Sequence, residues 1–298
     1  MKKTHNFNSI SEYNRFNNHE TLHPLVSVLD YSKAHPRHQS KMNFEIFCIV
    51  LKEVKCGDLR YGRHNYDYQE GTLVFISPGQ TIEVENDGEA YQPLGHALAF
   101  HPDLIRGTSL AGNLAKHNFF GYNTSEALHL SERERQIVLD CFSNIQFELQ
   151  QSIDKHSKKL ITSNIELFLN YCERFYDRQF ITRDNINKGI LAKFETLLDN
   201  YFSSENPREI GLPSVAYCAQ ELHLSVNYFG DLIKKETGKS AQEFIQNKII
   251  DLAKDKIFDS NKTINDVAYE MGFKYPQHFS RLFKQRTGAS PSEYRTYH

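Results

Sequence analysis

Two stretches near the end of the chain repeat each other, and this repeat limits the possible folds more than any other feature. Phe229, Ile233, Gly238 and Phe244 are matched by Phe279, Phe283, Gly288 and Tyr294, every pair 50 positions apart. Upstream, Ala219 and Leu224 are matched by Ala268 and Phe273 at a spacing of 49, so the second copy carries one extra residue in its turn. Within each copy Phe229, Leu232, Ile233 and Phe279, Leu282, Phe283 fall at i, i+3, i+4, the spacing of one apolar stripe on a short helix. Each stripe ends at a Thr-Gly pair, Thr237-Gly238 and Thr287-Gly288, where glycine accepts the left-handed conformation that closes a helix. Two residues on, Ser240 with Glu243 and Ser290 with Glu293 have the spacing of a capping box, and Pro291 suits the first helical position.

A further short amphipathic helix precedes each stripe, over 214–222 and 263–271, joined to it by a tight turn at 223–225 or 272–274. Helix, short turn, helix and glycine stop make a helix-turn-helix, whose second helix can lie in a major groove. The runs INDVAYEMGF from Ile264 to Phe273, FSRLFK from Phe279 to Lys284 and TGASPSEYR from Thr287 to Arg295 resemble the signature of the AraC/XylS family of bacterial transcription regulators. The first copy is similar but more diverged, and the resemblance covers about the last third of the chain. It implies a sequence-specific DNA-binding regulator controlled by a small effector. The partners it names are double-stranded DNA, a second copy of the chain and RNA polymerase.

The net charge of −2 leaves no global basic excess, so any phosphate-binding patch must be local. Over 271–298, Lys274, Arg281, Lys284, Arg286 and Arg295 stand against one acid, Glu293. Base-facing positions belong on the exposed N-terminal side of each second helix. In the second copy these are Pro276, Gln277, His278, Ser280 and Arg281, where Gln suits adenine and Arg suits guanine. In the first copy they are Val226, Asn227, Tyr228, Gly230 and Asp231. Lys234, Lys235, Lys239, Lys284 and Arg286 suit phosphate, against the blander reading of a solvated face. Between the copies a helix over 240–258, with Phe244, Ile249, Leu252, Ala253 and Ile257 inward, would span on the order of 27 Å. That length is comparable to the roughly 34 Å between successive major-groove segments on one DNA face.

Residues 22–100 change to short β-type runs, at 44–51, 58–63, 71–76, 80–85 and 92–100, divided by turn residues at 55–57, 77–79 and 86–88. The pattern predicts a small antiparallel barrel or double-sheet jelly roll. The stretch from Glu70 to Gly79, with a glycine, an apolar strand and a Pro-Gly turn, resembles cupin domains, which implies an effector site inside a barrel. Metal-binding cupins carry a His-x-His pair and further ligands. Here His64 is followed by Asn65 and Tyr66, and Gln80 and Thr81 follow the turn, so no metal or other cofactor is expected.

Of the two alternating sets, Phe44, Ile46, Cys48 and Val50 contain no charge and are the better inward set than Glu45, Phe47, Ile49 and Leu51. Tyr61, Arg63, Tyr66, Tyr68 and His96 are candidates for the pocket wall, with ordinary packing or exposure as the alternative for each. The cluster His35, Pro36, Arg37, His38 sits in a turn-rich stretch and is expected to face solvent; no histidine is read as catalytic.

Residues 101–202 read as helices, with a capping box at Ser131 and Glu134 and stripes through Ile137, Cys141, Ile145, Leu149; Ile161, Ile165, Phe168, Cys172, Phe175; and Ile190, Phe194, Leu197, Leu198, Tyr201. The stripe over 161–175 is a candidate dimer contact, with packing against its own barrel as an equal alternative. The polar stretch 203–213, with two prolines and a glycine, is the expected boundary. The expected organisation is thus α+β: a cupin-like barrel with helices over 1–202, a linker over 203–213, and an all-α double helix-turn-helix over 214–298. Five cysteines without CxxC spacing suit reduced thiols in the cytoplasm. Two readings stand beside the regulator: a barrel that only dimerises, and a cupin-type enzyme with a DNA-binding tail. The missing metal pair and the lack of a nucleophile-base spacing count against the enzyme.

Overall fold

The computed structural model describes residues 3–38, 40–53, 71–84, 90–182 and 184–297. The strand expected at 58–63, the turn at 86–88, Cys56 and His64 lie outside them. The chain forms two compact units, Met1–Thr182 and Arg183–His298.

The first unit holds two sheets. Strands β1 (Lys3–Phe7), β3 (Ser40–Phe44) and β6 (Gln80–Val84) form one in the order β1-β3-β6. Strands β2 (Val26–Asp30), β4 (Phe47–Lys52), β5 (Thr72–Ile76), β7 (Gly95–Phe100) and β8 (Leu128–His129) form the other in the order β2-β7-β4-β5-β8. The expectation was antiparallel throughout, but β1 pairs with β3 in parallel. A parallel neighbour needs a crossover, and the chain supplies one through helix α1 (Ile10–Phe16) and β2. The run expected as one strand over 44–51 is two. Phe44 ends in one sheet and Phe47 begins in the other, with Glu45 and Ile46 carrying the chain across.

Alternation then decides what faces the core between the sheets. Phe7, Met42, Phe44, Ile82 and Val84 from the first sheet meet Leu29, Cys48, Val74, Ile76, Ala97 and Ala99 from the second. The opposite face of the second sheet is buried too: Ile49 and Leu51 are fully buried, and Phe47 stacks on Phe100 with ring centroids 4.9 Å apart. A sheet covered on both faces loses the polar alternation of a half-exposed one, which is why both candidate sets of β4 look apolar.

Two short helices, α2 (Pro102–Ile105) and α3 (Ser109–Leu114), precede the longer α4 (Glu132–Leu149) and α5 (Ser157–Thr182). The capping box opening α4 is formed: Ser131 N–H donates to Glu134 at 2.8 Å and Glu134 N–H to Ser131 Oγ at 3.4 Å. Arg178 on α5 donates to the same carboxylate at 2.7 and 3.1 Å. Ile161, Ile165, Phe168, Cys172 and Phe175 are at most 4% exposed within this unit, and Phe168 meets Phe142 of α4 at 5.2 Å. Packing inside the unit therefore takes up the stripe proposed as a dimer contact. Cys48, Cys141, Cys172 and Cys218 are free and buried.

His117, ahead of α4, is 6% exposed with neither ring nitrogen hydrogen-bonded; Glu173 Oε2 stands 3.5 Å from its Nδ1. Burial lowers its pKa, more than Glu173 and Glu166 raise it, and Lys116 lowers it further. An unfolded histidine takes its proton near pH ~6.5, the folded one only below that. Stability is therefore full above the unfolded value and lost as pH falls from there through the lowered folded value. Melting temperature measured between pH 7.5 and 5 should fall, and His117→Phe should flatten that part of the profile.

The second unit is all helix: α6 (Asp184–Ser203), α7 (Asn206–Glu209), α8 (Val215–Glu221), α9 (Val226–Thr237), α10 (Ala241–Ile257), α11 (Ile264–Glu270), α12 (Pro276–Thr287) and α13 (Pro291–Tyr297). Helix α6, which sequence reasoning attached to the barrel, packs here: Phe194 is fully buried, 4.9 Å from the Phe229 ring and 5.1 Å from Phe244. The polar stretch over 203–213 is not an extended linker. It contains α7, and Tyr201 Oη donates to Gly211 O at 2.8 Å across it. Among the described residues no helix is long and apolar enough to cross a membrane, and no group of three or more His, Cys, Asp or Glu could hold a metal ion.

Candidate nucleic-acid interface and inner pocket

Both helix-turn-helix units form as their capping residues dictate. Ser214 Oγ accepts from Tyr217 N–H at 3.0 Å to open α8, and Ser225 Oγ accepts from Tyr228 N–H at 3.2 Å to open α9. In the second unit Thr263 and Asp266 form a reciprocal box ahead of α11, and Pro276 occupies the first turn of α12. Each cap stabilises its helix by about 1 kcal/mol. Helices α9 and α12 stop at Gly238 and Gly288, both left-handed at φ +71° and +86°. Phe229, Ile233, Phe279 and Phe283 are fully buried, so the repeated positions are the hydrophobic posts of the two units.

Burial of those posts fixes what is left outside. On α12, Gln277, His278, Arg281 and Lys284 are exposed, with Pro276 and Ser280 half-buried. On α9, Asn227, Lys234 and Lys235 are exposed, as is Val226 at 47%. Tyr228 is 5% exposed, which removes it from the candidate base readers: the i, i+1 position beside Phe229 turns into the core. Tyr275, not singled out in the sequence, is 48% exposed; its ring packs 5.5 Å from His278, with Lys274 Nζ 5.7 Å from its centroid.

Two of the counted cations have internal work. Arg295 donates to the carbonyls of Ile257 at 2.5 Å and Lys262 at 2.9 Å, and Arg286 donates to Gln246 at 2.7 Å. The basic surface is therefore smaller than the sequence count. Helix α10 buries Ala241, Ile245, Ile249, Ile250, Ala253 and Ile257, while Phe244 and Leu252 are half-buried. Its 17 residues span roughly 25 Å. Glu270 ties the second helix-turn-helix to α7 and α10 by ion pairs to Arg208 at 3.1 Å and Lys256 at 3.3 Å, with a third to Lys262 at 2.8 Å. Burial alone would raise its pKa, but hydrogen bonds from Lys262 and Lys256 outweigh that and hold the carboxyl below its usual range.

In the first unit a cavity of about 80 Å³ lies between the two sheets. Met42, Phe44, Val50, Val74, Ile76, Ile82 and Val84 supply its apolar wall; Tyr13, Tyr31, Arg37 and Tyr91 supply polar groups. Tyr13 Oη hydrogen-bonds with Tyr31 Oη and with Cys48 Sγ, the latter at 3.1 Å. Burial pushes the Cys48 thiol up to about 12 and raises both tyrosines, so the three groups stay neutral near pH 7. Of the residues expected at an effector site, Phe44 lines the cavity, while Ile46 and Cys48 are fully buried in the surrounding core. His96 is off the wall and lies 3.6 Å from Glu53; Tyr61 and Tyr66 lie outside the described residues. Tyr13, Tyr31 and Arg37 escaped sequence reasoning because they come from α1 and the turns around β2, which carry no β pattern. Arg37, expected in solvent, lines the cavity.

A family model described as a helix-turn-helix domain matches residues 218–297. The chain is 28% identical over 128 residues to the uncharacterized HTH-type transcriptional regulator YtdP of Bacillus subtilis, covering 41% of this chain and 16% of that protein. It is 29% identical over 140 residues to a second such regulator of that organism, YfiF, covering 47% and 41%. It is 30% identical over 149 residues to the probable transcriptional regulator LumQ of Photobacterium leiognathi, covering 49% and 51%. The chain thus spans at most about half the length of these relatives.

Proposed function

The C-terminal part of this chain is an AraC-type helix-turn-helix domain, and from that premise we propose that the protein is a sequence-specific transcription regulator acting on double-stranded DNA. The observation that carries the reading is the pair of like helices, α9 and α12, each the second helix of its helix-turn-helix, burying its apolar stripe and exposing polar residues, with α10 joining the two helix-turn-helices. On α12 the base readers are Gln277, His278 and Arg281, with Pro276 and Ser280 at the groove wall. On α9, Asn227 takes that role. Lys234, Lys235 and Lys284 contact phosphate.

In the same reading the first unit is a sensor that takes a small effector in the inner cavity and pairs with a second copy of the chain. The effector acts by binding two states of the protein unequally. The cavity favours a sensor over a barrel that serves only to dimerise. Neither a catalytic nor a metal-dependent step is part of this function, which is exercised in the cytoplasm with RNA polymerase as the further partner.

In-vitro selection from random DNA tests the reading. A bipartite motif with elements about one helical turn apart is expected, and failure to enrich any motif would sink it. Arg281→Ala should relax preference at one position, costing about 1–3 kcal/mol for the favoured base. Lys284→Ala should weaken binding to all sequences and lower the salt slope by about one. Uniform loss in both variants, measured by fluorescence anisotropy, would contradict these roles.

A further inference from the structure

Among the described residues, the walls of the inner cavity leave one of its charges without a counter-charge. Arg37 lies on the wall with its guanidinium carbon 4.8 Å from the Phe16 ring centroid and 5.2 Å from that of Tyr31. One terminal nitrogen donates to Asn17 Oδ1, and Asn17 is itself 2% exposed and donates to Tyr13 O at 2.6 Å. The guanidinium is thus clamped between two aromatic faces and tied to the end of α1. Its Nε–H is buried without an acceptor. Among the described residues no carboxylate pairs with it, and those lining the cavity include a second cation, Lys52, and no acid.

A buried donor on a cation is costly when unsatisfied, and the side chain that carries it also lines a cavity. A guanidinium edge matches two coplanar oxygens. Beside it stand the hydroxyls of Tyr13 and Tyr31, one of which can donate a further hydrogen bond when the Cys48 thiol donates to Tyr13; beyond them the wall is Met42, Phe44, Val50 and aliphatic side chains of β5 and β6. The cavity, at about 80 Å³, is about half the ~150 Å³ that admits benzene, so the apolar body it takes is short.

We propose that the cavity binds a small monocarboxylate, its carboxylate on Arg37 and the tyrosine hydroxyls and its short apolar body between the two sheets. This rests on the sensor reading of the first unit and names the class of its effector. Sequence reasoning, which put Arg37 in solvent and looked to strand residues for the wall, could not reach it.

The test is titration calorimetry on the full-length chain with straight-chain monocarboxylates from acetate to octanoate and with benzoate, against the primary amides of the same skeletons. A short acid should bind on the order of 10- to 100-fold more tightly than its amide, the range of a charge-assisted hydrogen bond. Arg37→Gln should remove that preference while leaving the weak amide affinity. Arg37→Lys, which keeps the charge but not the planar fork, should fall between. Val50→Phe, filling the cavity, should abolish both, and thermal melts identify any variant that has not folded. Amide bound as tightly as acid, or acid bound as tightly by Arg37→Gln as by the unaltered chain, overturns the proposal while leaving a sensor for neutral ligands. Absence of binding by every probe overturns the proposal, while the sensor reading falls only if DNA binding is also unmoved by a metabolite extract. DNA selection run with and without the best acid separates the two in the other direction: an acid that binds without altering the selected motif or its affinity supports the site and removes its regulatory role.

Discussion

Gly272→Ala is expected to destabilise the Arg183–His298 unit by about 3 kcal/mol or more and to abolish sequence-specific DNA binding. Gly272 has φ +88° and opens the turn between α11 and α12. A Cβ there would lie 2.9 Å from Gly211 C, 3.0 Å from Gly211 O and 3.1 Å from Pro207 O, all backbone atoms. Left-handed strain costs about 1–3 kcal/mol and overpacking against atoms that cannot rotate away about 1–3 more. The first helix-turn-helix provides the contrast: the corresponding turn residue, His223, is left-handed at φ +58° and carries a full side chain. The turn geometry alone therefore tolerates a Cβ, and what demands glycine at 272 is the approach of the segment after α7. His223→Gly should change stability by less than about 1 kcal/mol. Urea denaturation of both variants, with DNA binding measured alongside, checks the pair. Equal and small effects would mean that α7 does not press on the second turn as described.

Phe194→Ala should cost about 3–5 kcal/mol, the usual range for emptying a fully buried phenylalanine site. The loss should appear in the DNA-binding unit. Phe194 is fully buried, edge-on to Phe229 at 4.9 Å and tilted against Phe244 at 5.1 Å; a further tie runs from Lys248 to Asp199 at 2.6 Å. If α6 were instead part of the barrel, the substitution would leave a fragment over 183–298 as stable as its unaltered counterpart and would spare its DNA affinity. Melting and anisotropy on that fragment, with and without the substitution, distinguish the two arrangements.

The C-terminal unit was the more legible in sequence because its determinants are local. The i, i+3, i+4 stripes, the serine caps and the Thr-Gly stops act within one or two turns of helix, so they survive without knowledge of what packs on them. Even there the reading slipped where burial depends on neighbours. Tyr228 turns inward, Ile245 and Ile250 are buried along α10 where Leu252 is only half-buried, and Arg295 clamps carbonyls of Ile257 and Lys262. In the N-terminal unit the strands at 71–76, 80–84 and 95–100 were close to expectation, because a period of two and Gly or Pro turns are also local signals.

Spacing along a few residues is enough to specify the paired helix-turn-helix units, their capped ends, the inward Phe44, Ile46 and Cys48, and the α+β class. Long-range packing sets the rest: β1 runs parallel to β3, α6 covers Phe229, the α5 stripe is spent on its own unit, and Arg37 lines a cavity. Those outcomes depend on which distant surfaces meet: a stripe or a guanidinium carries no mark of its partner, and the free energy of burying it is settled only when that partner arrives.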